Sequence, residues 1–96
     1  MIAPIVGHVG DGNFHVSPLV DMNDAAEIER AVRFADRLAR RAIAMDGTCT
    51  GEHGIGQKKI AFLEVESDAA ALDLMRRVKL AFDPQNLFNP GKIFRA

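Results

Sequence analysis

The three histidines of this 96-residue chain all lie in glycine-dense stretches. His8 and His15 bracket the segment GHVGDGNFH, and His53 follows Glu52 in the segment GTCTGEHGIG. Two imidazoles and a carboxylate form a facial ligand set for a divalent metal such as Zn²⁺, Mn²⁺ or Fe²⁺, with positions left open for substrate or water. The predicted metal ligands are therefore His8, His15 and Glu52. The adjacent His53 is then free to act as a base.

The glycines around these histidines favour a binding site. A loop that brings its backbone close to a metal or a flat cofactor ring must lack Cβ atoms and often adopts positive φ. In an unbroken strand, His8 and His15 would point to opposite faces, so a turn at Asp11-Gly12-Asn13 is needed to bring them together. The spacing alone leaves a second interpretation open, in which the histidines are solvated loop residues.

The other polar side chains in these stretches have simpler interpretations. Neither GDGN nor GEHGIG matches a phosphate-binding loop, which needs G-x-x-x-x-G-K-[ST] or a G-x-G-x-x-G turn that opens a helix. No G-x-S-x-G elbow marks Ser17 or Thr50 as a nucleophile, so their hydroxyls are assigned to capping or to solvent. Cys49 is interpreted as a small, partly buried residue. Asp11 either orients a histidine or caps the turn.

The elements that must position these groups begin with a strand-turn-strand unit. The stretch APIVGHVGDGNFHVSPLVD is rich in Val, Ile and Phe, but turn-forming residues interrupt it, and Pro18 limits the second strand. A long helix is then predicted over residues 25–45. Its N-cap comes from DMND at positions 21–24, and Gly47 is the predicted C′ residue. The apolar stripe of this helix comprises Ile28, Ala31, Val32, Ala35, Leu38, Ala39, Ala42 and Ile43, and its solvated basic face comprises Arg37, Arg40 and Arg41.

Two further helices are predicted after the second glycine-dense stretch. The segment QKKIAFLEVE forms a short helix with Ile60 and Leu63 facing inward. The next helix opens on Ser67 as its N-cap and ends before Pro84. Its apolar stripe comprises Ala71, Leu72, Met75, Val78 and Phe82. The turn Asn89-Pro90-Gly91 predicts an extended C-terminal segment after it.

The fold class predicted by these elements is α+β, with a short N-terminal strand-turn-strand followed by about three helices. Two short strands do not form a stable sheet alone, so further strands or packed helices are expected to complete it. The net charge of −1 and the sequence pI near 6.3 argue against a nucleic-acid or anionic-membrane partner. No apolar run reaches the roughly 20 residues of a transmembrane segment. The single cysteine suits a reducing compartment, and a cytoplasmic location is expected.

Three motifs together resemble a known family. GHVGDGNFH, GTCTGEHGIG and FDPQNLFNPGKIF resemble, in this order, the C-terminal part of FAD-linked oxidases and dehydrogenases of the vanillyl-alcohol oxidase type. Within that family, the resemblance is to D-lactate dehydrogenases of the cytochrome type and to the glycolate oxidase flavoprotein subunit. It implies that residues 1–96 are a fragment of the FAD-linked oxidase C-terminal domain, and that the FAD-binding domain is absent from it.

The resemblance also implies roles for individual residues. His8, His15 and Glu52 match the family's divalent-metal ligands, and His53 matches its catalytic base. Asn89 and Lys92 lie where the family folds its C-terminal segment toward the flavin, so they are expected near the cofactor. Two positions depart from the pattern. Ser17 stands where some relatives carry a substrate-contacting Asn, which leaves the identity of the acid open, and Lys58 stands where a small residue is expected.

The implied activity is oxidation of a D-2-hydroxy acid, such as D-lactate or a glycolate-like acid, to the 2-oxo acid, with electrons passed to FAD. The expected partner is the small-molecule 2-hydroxy acid. The location expected for the full-length enzyme is cytoplasmic and peripheral to the inner membrane. An alternative hypothesis is a non-catalytic, dimerising interaction module that forms a homo-oligomer through exposed strand edges.

Overall fold

The N-terminal segment reverses direction between two short strands. The structure is a computed structural model, and it describes residues 2–95. Strand β1 (Ile5–Val6) pairs antiparallel with β2 (His15–Val16), with Val6 opposite His15. A single 3₁₀ turn, Val9–Asp11, lies between them and ends at Gly12, whose φ of 73° is left-handed. The predicted strand-turn-strand unit is confirmed.

Helix α1 (Ala25–Ala44) begins where its cap predicts. The Asp24 carboxylate accepts hydrogen bonds from the backbone N–H groups of Ala26 and Glu27, at 3.0 and 3.3 Å. These bonds satisfy two of the N–H groups that have no partner within the helix. The predicted range of 25–45 agrees with the structure to within one residue.

The end of α1 corrects the predicted cap. The left-handed C′ residue is Asp46, with φ 63°, and Gly47 follows it. Asp46 N–H donates to the Ile43 carbonyl at 3.0 Å, and Gly47 N–H donates to the Ala42 carbonyl at 2.8 Å. This is the Schellman pattern. Asp tolerates the left-handed region better than most residues, so it occupies the position predicted for Gly47.

Helix α2 (Ile60–Glu66) packs against α1. Leu63 on this helix is the one buried hydrophobic residue among residues 2–95. The guanidinium of Arg40 on α1 lies 5.9 Å from the centre of the Phe62 ring. The predicted inward position of Leu63 is thus confirmed, and the contact between the two helices forms the centre of the apolar packing.

Helix α3 (Ala69–Phe82) follows α2 after a two-residue break. Its N-cap is Asp68, whose carboxylate accepts a hydrogen bond from Ala71 N–H at 2.8 Å. The predicted cap, Ser67, was one residue too early. Ser67 instead ends α2, in an extended conformation. The predicted end of the helix before Pro84 is confirmed, since Asp83 is the C-cap.

Much apolar surface on α3 is uncovered. The stripe residues Met75, Val78 and Phe82 are exposed, and Phe82 is 84% accessible. The accessible surface of 7337 Å² exceeds the about 5,400 Å² of a folded monomer of this size. The radius of gyration of 15.7 Å likewise exceeds the expected value of about 12.5 Å. The predicted stripe is therefore half-buried at Ala71 and Leu72, but its C-terminal part is not covered by residues 2–95. None of the described helices combines the length and apolarity needed to cross a bilayer.

The tail after α3 folds back toward the second glycine-dense loop. Asn89 and Ile93 have left-handed φ values of 47° and 68°, which turn the chain. Ile93 N–H then donates to the Gly56 carbonyl at 2.6 Å. The predicted extended C-terminal segment is wrong, because this long-range hydrogen bond and these turns override the local alternation. The described elements are otherwise those of the predicted α+β class, a two-stranded sheet followed by three helices.

Candidate metal and proton-transfer site

The first glycine-dense loop is closed by its own backbone. The His8 carbonyl accepts hydrogen bonds from Asp11 N–H at 2.9 Å and from Asn13 N–H at 3.2 Å. This tight turn places His8 at its start and delivers His15 to the beginning of β2. In one unbroken strand, two histidines seven residues apart would point to opposite faces. The turn allows them to point to the same side.

The second glycine-dense loop carries Glu52 and His53 to the first. His53 N–H donates to the Thr50 carbonyl at 3.0 Å, which closes a turn around Gly51. Gly51 has φ 55°, and a Cβ atom there would lie 2.7 Å from Asn13 Oδ1. Glycine is needed at this position because the two loops touch here and the backbone is left-handed.

Glu52 lies at the centre of the imidazoles. His15 Nε2 donates a hydrogen bond to Glu52 Oε1 at 3.0 Å, and His8 Nε2 lies 3.5 Å from Glu52 Oε2. His53 Nε2 lies 3.8 Å from Glu52 Oε1. The rings of His15 and His53 stack, with centroids 4.7 Å apart and an interplanar angle of 22°. All three histidines thus approach the Glu52 carboxylate.

The geometry brings three of these residues into one cluster. One potential ligand atom from each of His15, Glu52 and His53 lies within 4.8 Å of the others. His8 approaches the opposite carboxylate oxygen instead. Its side chain is 68% exposed, whereas that of His15 is 30% exposed. The three-residue cluster among the described residues is therefore His15, Glu52 and His53, and His8 contacts it only through Glu52.

The donor set fits a divalent transition metal. Imidazole nitrogens and a carboxylate oxygen are the ligands that Zn²⁺ and Fe²⁺ sites use. His15 Nε2 and Glu52 Oε1, two of the potential ligand atoms, already face each other at 3.0 Å. Asn13 Oδ1 is buried beside Gly51 and has no hydrogen-bond partner within residues 2–95. Such an unsatisfied acceptor is uncommon in folded proteins and fits a site completed by a ligand.

A wide groove of about 680 Å³ connects His53 to the tail. Phe82 and Phe88 line it, together with Asn89 and Lys92. The two residues expected near the cofactor therefore share a cavity with the residue expected to be the base. The aromatic walls present a surface suited to a flat ring.

Comparison with known proteins identifies the family. Residues 1–93 match the sequence model of the FAD linked oxidases, C-terminal domain. The chain belongs to this family. As an FAD-linked oxidase C-terminal domain, it is 57% identical over 90 residues to the probable D-lactate dehydrogenase, mitochondrial, of Danio rerio, covering 94% of the chain and 18% of that protein.

Two other relatives of this FAD-linked oxidase domain are similar over nearly the whole chain. D-lactate dehydrogenase [cytochrome] 1, mitochondrial, of Saccharomyces cerevisiae is 46% identical over 95 residues, which are 99% of the chain and 16% of that protein. The glycolate oxidase subunit GlcD of Bacillus subtilis is 42% identical over 88 residues, 92% of the chain and 19% of that protein. The chain thus spans less than a fifth of the length of these relatives.

Sequence reasoning about this FAD-linked oxidase domain missed Asn13 as part of the site. Its position in GDGN explains it fully as a turn former, so no local signal marks its side chain. The only signal was indirect. Gly51 lies directly before Glu52, and a side chain on Gly51 would displace the group that packs against it, which is the Asn13 side chain.

Cys49, next to the site loop, has the chemistry of a structural residue. Burial raises the pKa of its thiol above the usual value, and the Glu66 carboxylate raises it further. Glu66 Oε1 also accepts a hydrogen bond from Cys49 N–H at 2.9 Å. The thiol stays protonated at neutral pH, which disfavours a nucleophilic role in this FAD-linked oxidase domain.

Proposed function

We propose that residues 1–96 form the catalytic-metal part of a flavin-dependent dehydrogenase that oxidises a D-2-hydroxy acid to the 2-oxo acid. The observation that carries the proposal is the Glu52 carboxylate, which has the Nε2 atoms of His15, His8 and His53 at 3.0, 3.5 and 3.8 Å. The names of the relatives, D-lactate dehydrogenases and a glycolate oxidase subunit, support D-lactate or a glycolate-like acid as the substrate.

The proposed ligands of the divalent metal are His8, His15 and Glu52. These residues would hold Zn²⁺, Mn²⁺ or Fe²⁺, which would supply a Lewis acid that makes the substrate's hydroxyl group more acidic. Each imidazole contributes a neutral nitrogen, and Glu52 contributes one negative charge. The exposure of His8 leaves the outer side of the site open for a small acid to enter.

The proposed base is His53. Its Nε2 takes the hydroxyl proton while the hydrogen on the substrate's carbon leaves with its electron pair. FAD, when bound, would supply the hydride acceptor. The ring of His53 is held by its stacking on His15, at a centroid distance of 4.7 Å. This contact restricts the rotation of the His53 ring and so keeps its Nε2 atom near the Glu52 carboxylate.

The proposed cofactor-proximal residues are Asn89 and Lys92. They line the same groove as His53, which supports a flavin ring bound close to the base. In this proposal FAD is held mainly by a domain outside residues 1–96, and the 96-residue chain alone is expected not to reduce a dye with D-lactate. We propose a cytoplasmic location, with the full-length enzyme peripheral to the inner membrane.

The alternative of a non-catalytic dimerising module gains no support. Each described strand has two residues, so its edge offers few hydrogen bonds to a second chain. The relatives compared above are named as oxidoreductases or as an oxidase subunit.

Histidine variants of the complete gene product, supplied with FAD, test the proposal. Metal content is measured by mass spectrometry, and D-lactate or glycolate oxidation by dye reduction. We expect His8→Ala and His15→Ala to lose both the metal and turnover. We expect His53→Gln to keep the metal and to lose about 10²- to 10⁴-fold in turnover.

The same variants show which part of the proposal fails. Loss of metal in His53→Gln with retention in His8→Ala would assign the ligand set to His15, Glu52 and His53 instead. Unchanged metal content in all three variants would remove the metal site. Full turnover by His53→Gln would remove the base while leaving the metal site intact.

A further inference from the structure

A second cavity, of about 190 Å³, lies between α3 and the tail. Four cationic residues line it: Arg76, Lys79, Lys92 and Arg95. The remaining lining residues are Leu80, Asn86 and Phe94, so no carboxylate lines this cavity within the described part of the chain. We call it the basic pocket. Like charges around one small cavity repel each other, so an anion bound there would be stabilised.

Two of the four cations are already paired. Lys79 Nζ donates to the Asp83 carboxylate, to Asn86 Oδ1 at 2.7 Å and to the Phe88 carbonyl at 3.0 Å. These three bonds use all the donors of an ammonium group. Arg95 donates to the Glu64 carboxylate from Nε, at 3.0 Å, and from a terminal nitrogen, at 2.6 Å. Arg95 keeps further N–H groups that this pairing does not use.

The other two cations have no carboxylate partner among residues 2–95. The guanidinium of Arg76 lies 5.8 Å from the centre of the Phe94 ring, and no ion pair joins it to a described residue. Lys92 Nζ donates to the neutral Gln57 side chain. Two positive charges beside one cavity therefore have no salt-bridge partner in the described chain. The nearby Glu64 carboxylate, whose pKa the charge of Arg76 helps to lower, is itself paired with Arg95.

The pocket also offers a neutral donor. Asn86 Oδ1 accepts the hydrogen bond from Lys79, which leaves the two N–H groups of the amide available for another acceptor. The donors of Arg76, Lys92 and Asn86 thus surround a cavity of about 190 Å³. That volume is about six times the share of a water molecule in the liquid, roughly 30 Å³, and accommodates a small polyanion.

We propose that the basic pocket binds a phosphoryl oxyanion that carries two or more negative charges. An arginine fork matches the oxygens of a phosphoryl group, and its charge-assisted hydrogen bonds are stronger than neutral ones. The anion would offset the two charges that have no salt-bridge partner and would join α3 to the tail. Lys79 and Lys92 also line the groove beside His53, whereas Arg76 and Arg95 line only the basic pocket. Arg76 therefore separates this inference from the proposed dehydrogenase function, which assigns it no role.

Calorimetric titration of the complete gene product with inorganic pyrophosphate tests this inference. Ionic strength is held constant with NaCl, and a parallel titration uses ADP. We expect saturable binding that Arg76→Gln weakens about tenfold or more, since one charge-assisted bond is worth about 1.5–3 kcal/mol. Lys92→Gln should weaken it similarly. Circular dichroism in the same samples checks that the helices are retained.

Arg77→Gln is the matched control. Arg77 follows Arg76 on α3, loses the same charge on substitution, and pairs with Asp73 at 2.9 Å outside the pocket. Equal weakening by Arg77→Gln would show general charge attraction and overturn the proposal, as would the absence of saturable binding. Tighter binding of ADP than of pyrophosphate would identify a nucleotide as the source of the phosphoryl group, and equal binding a free phosphate. Both of these results support the pocket.

Discussion

Glu52 and Asp83 are carboxylates in two regions of the molecule, and their surroundings are opposite. The Glu52 side chain is 47% exposed and faces three imidazoles. The Asp83 side chain is 7% exposed and accepts hydrogen bonds from the Lys79 ammonium and from the N–H groups of Leu87 and Phe88, both at 2.9 Å. The first lies between two loops, and the second joins α3 to the tail.

The contrast separates a site that can take a ligand from one that cannot. The chain itself supplies Asp83 with a cation and two backbone donors, so this carboxylate stabilises the turn after α3. Glu52 receives no backbone hydrogen bond from residues 2–95, and its neighbours are groups that bind metals. Burial and the type of partner therefore distinguish the two roles, although both residues carry the same charge.

Replacing Glu52 should have the largest effect. Glu52→Gln removes the one negative charge between the imidazoles, so we expect metal affinity to fall by more than about 100-fold, and turnover with it. Metal analysis and dye reduction on the complete gene product measure both. Glu29→Gln, at an exposed position of α1, is the control and should change neither. Retained metal in Glu52→Gln would contradict the assigned role.

Asp83→Asn should mainly change stability. The variant leaves the Lys79 ammonium without its anionic partner and weakens the acceptor for Leu87 and Phe88. We expect a fall in thermal midpoint several times larger than that of Asp73→Asn. Asp73 pairs with Arg77 on the same helix, but both side chains are largely exposed, so that pair contributes at most about 1 kcal/mol. Equal melting curves for the two variants would argue against the comparison.

Low pH should destabilise the fold by protonating the Asp83 carboxylate. The hydrogen bond from Lys79 lowers the pKa of Asp83 below its usual value, with help from the Leu87 and Phe88 N–H groups. Arg95 lowers the pKa of Glu64 in the same way. Because both folded pKa values lie below the unfolded ones, this stabilisation is complete above about pH 5 and is lost as the pH falls through the folded values.

Thermal melts between pH 7 and pH 2 measure this loss. The Asp83→Asn variant has one fewer group that contributes, so its stability should fall less steeply with acid than that of the unchanged chain. Parallel curves for the two proteins would show that Asp83 contributes no pH dependence.

Gly51→Ala should have the smallest effect and tests the contact between the loops. The left-handed φ of 55° costs an alanine about 1 kcal/mol, and its Cβ would lie 2.7 Å from Asn13 Oδ1. Gly12→Ala is the control, since φ is 73° there and no atom lies within 4 Å of the added Cβ. We expect both variants to lose stability and only Gly51→Ala to weaken metal binding. Equal metal affinity would show that this close approach does not position Glu52.

Local signals in the sequence predicted much of the fold. Asp24 caps α1, and Pro84 follows the end of α3, because each acts on its own few residues. Errors arose where two neighbours were both suitable. Asp68 rather than Ser67 caps α3, and Asp46 rather than Gly47 takes the left-handed position after α1.

Local sequence patterns did not predict the long-range contacts. The bond from Ile93 to Gly56 joins residues far apart in the chain, and no local pattern in the tail indicates it. The stripe on α3 was predicted correctly as a pattern, but periodicity does not say what covers it. The meeting of the histidines at Glu52 was anticipated because the glycine-dense turns suggested it, whereas Asn13 and Asp83 are explained locally as turn and capping residues.

The bond from Ile93 to Gly56 also has a practical consequence. It tethers the loop of Glu52 and His53 to the tail, so a protease that cut the chain between Asn89 and Ile93 would release that loop. The proposed metal site would then lose its geometry with every histidine still in place. Preparations of uneven metal content should therefore be checked first for clipping by intact mass.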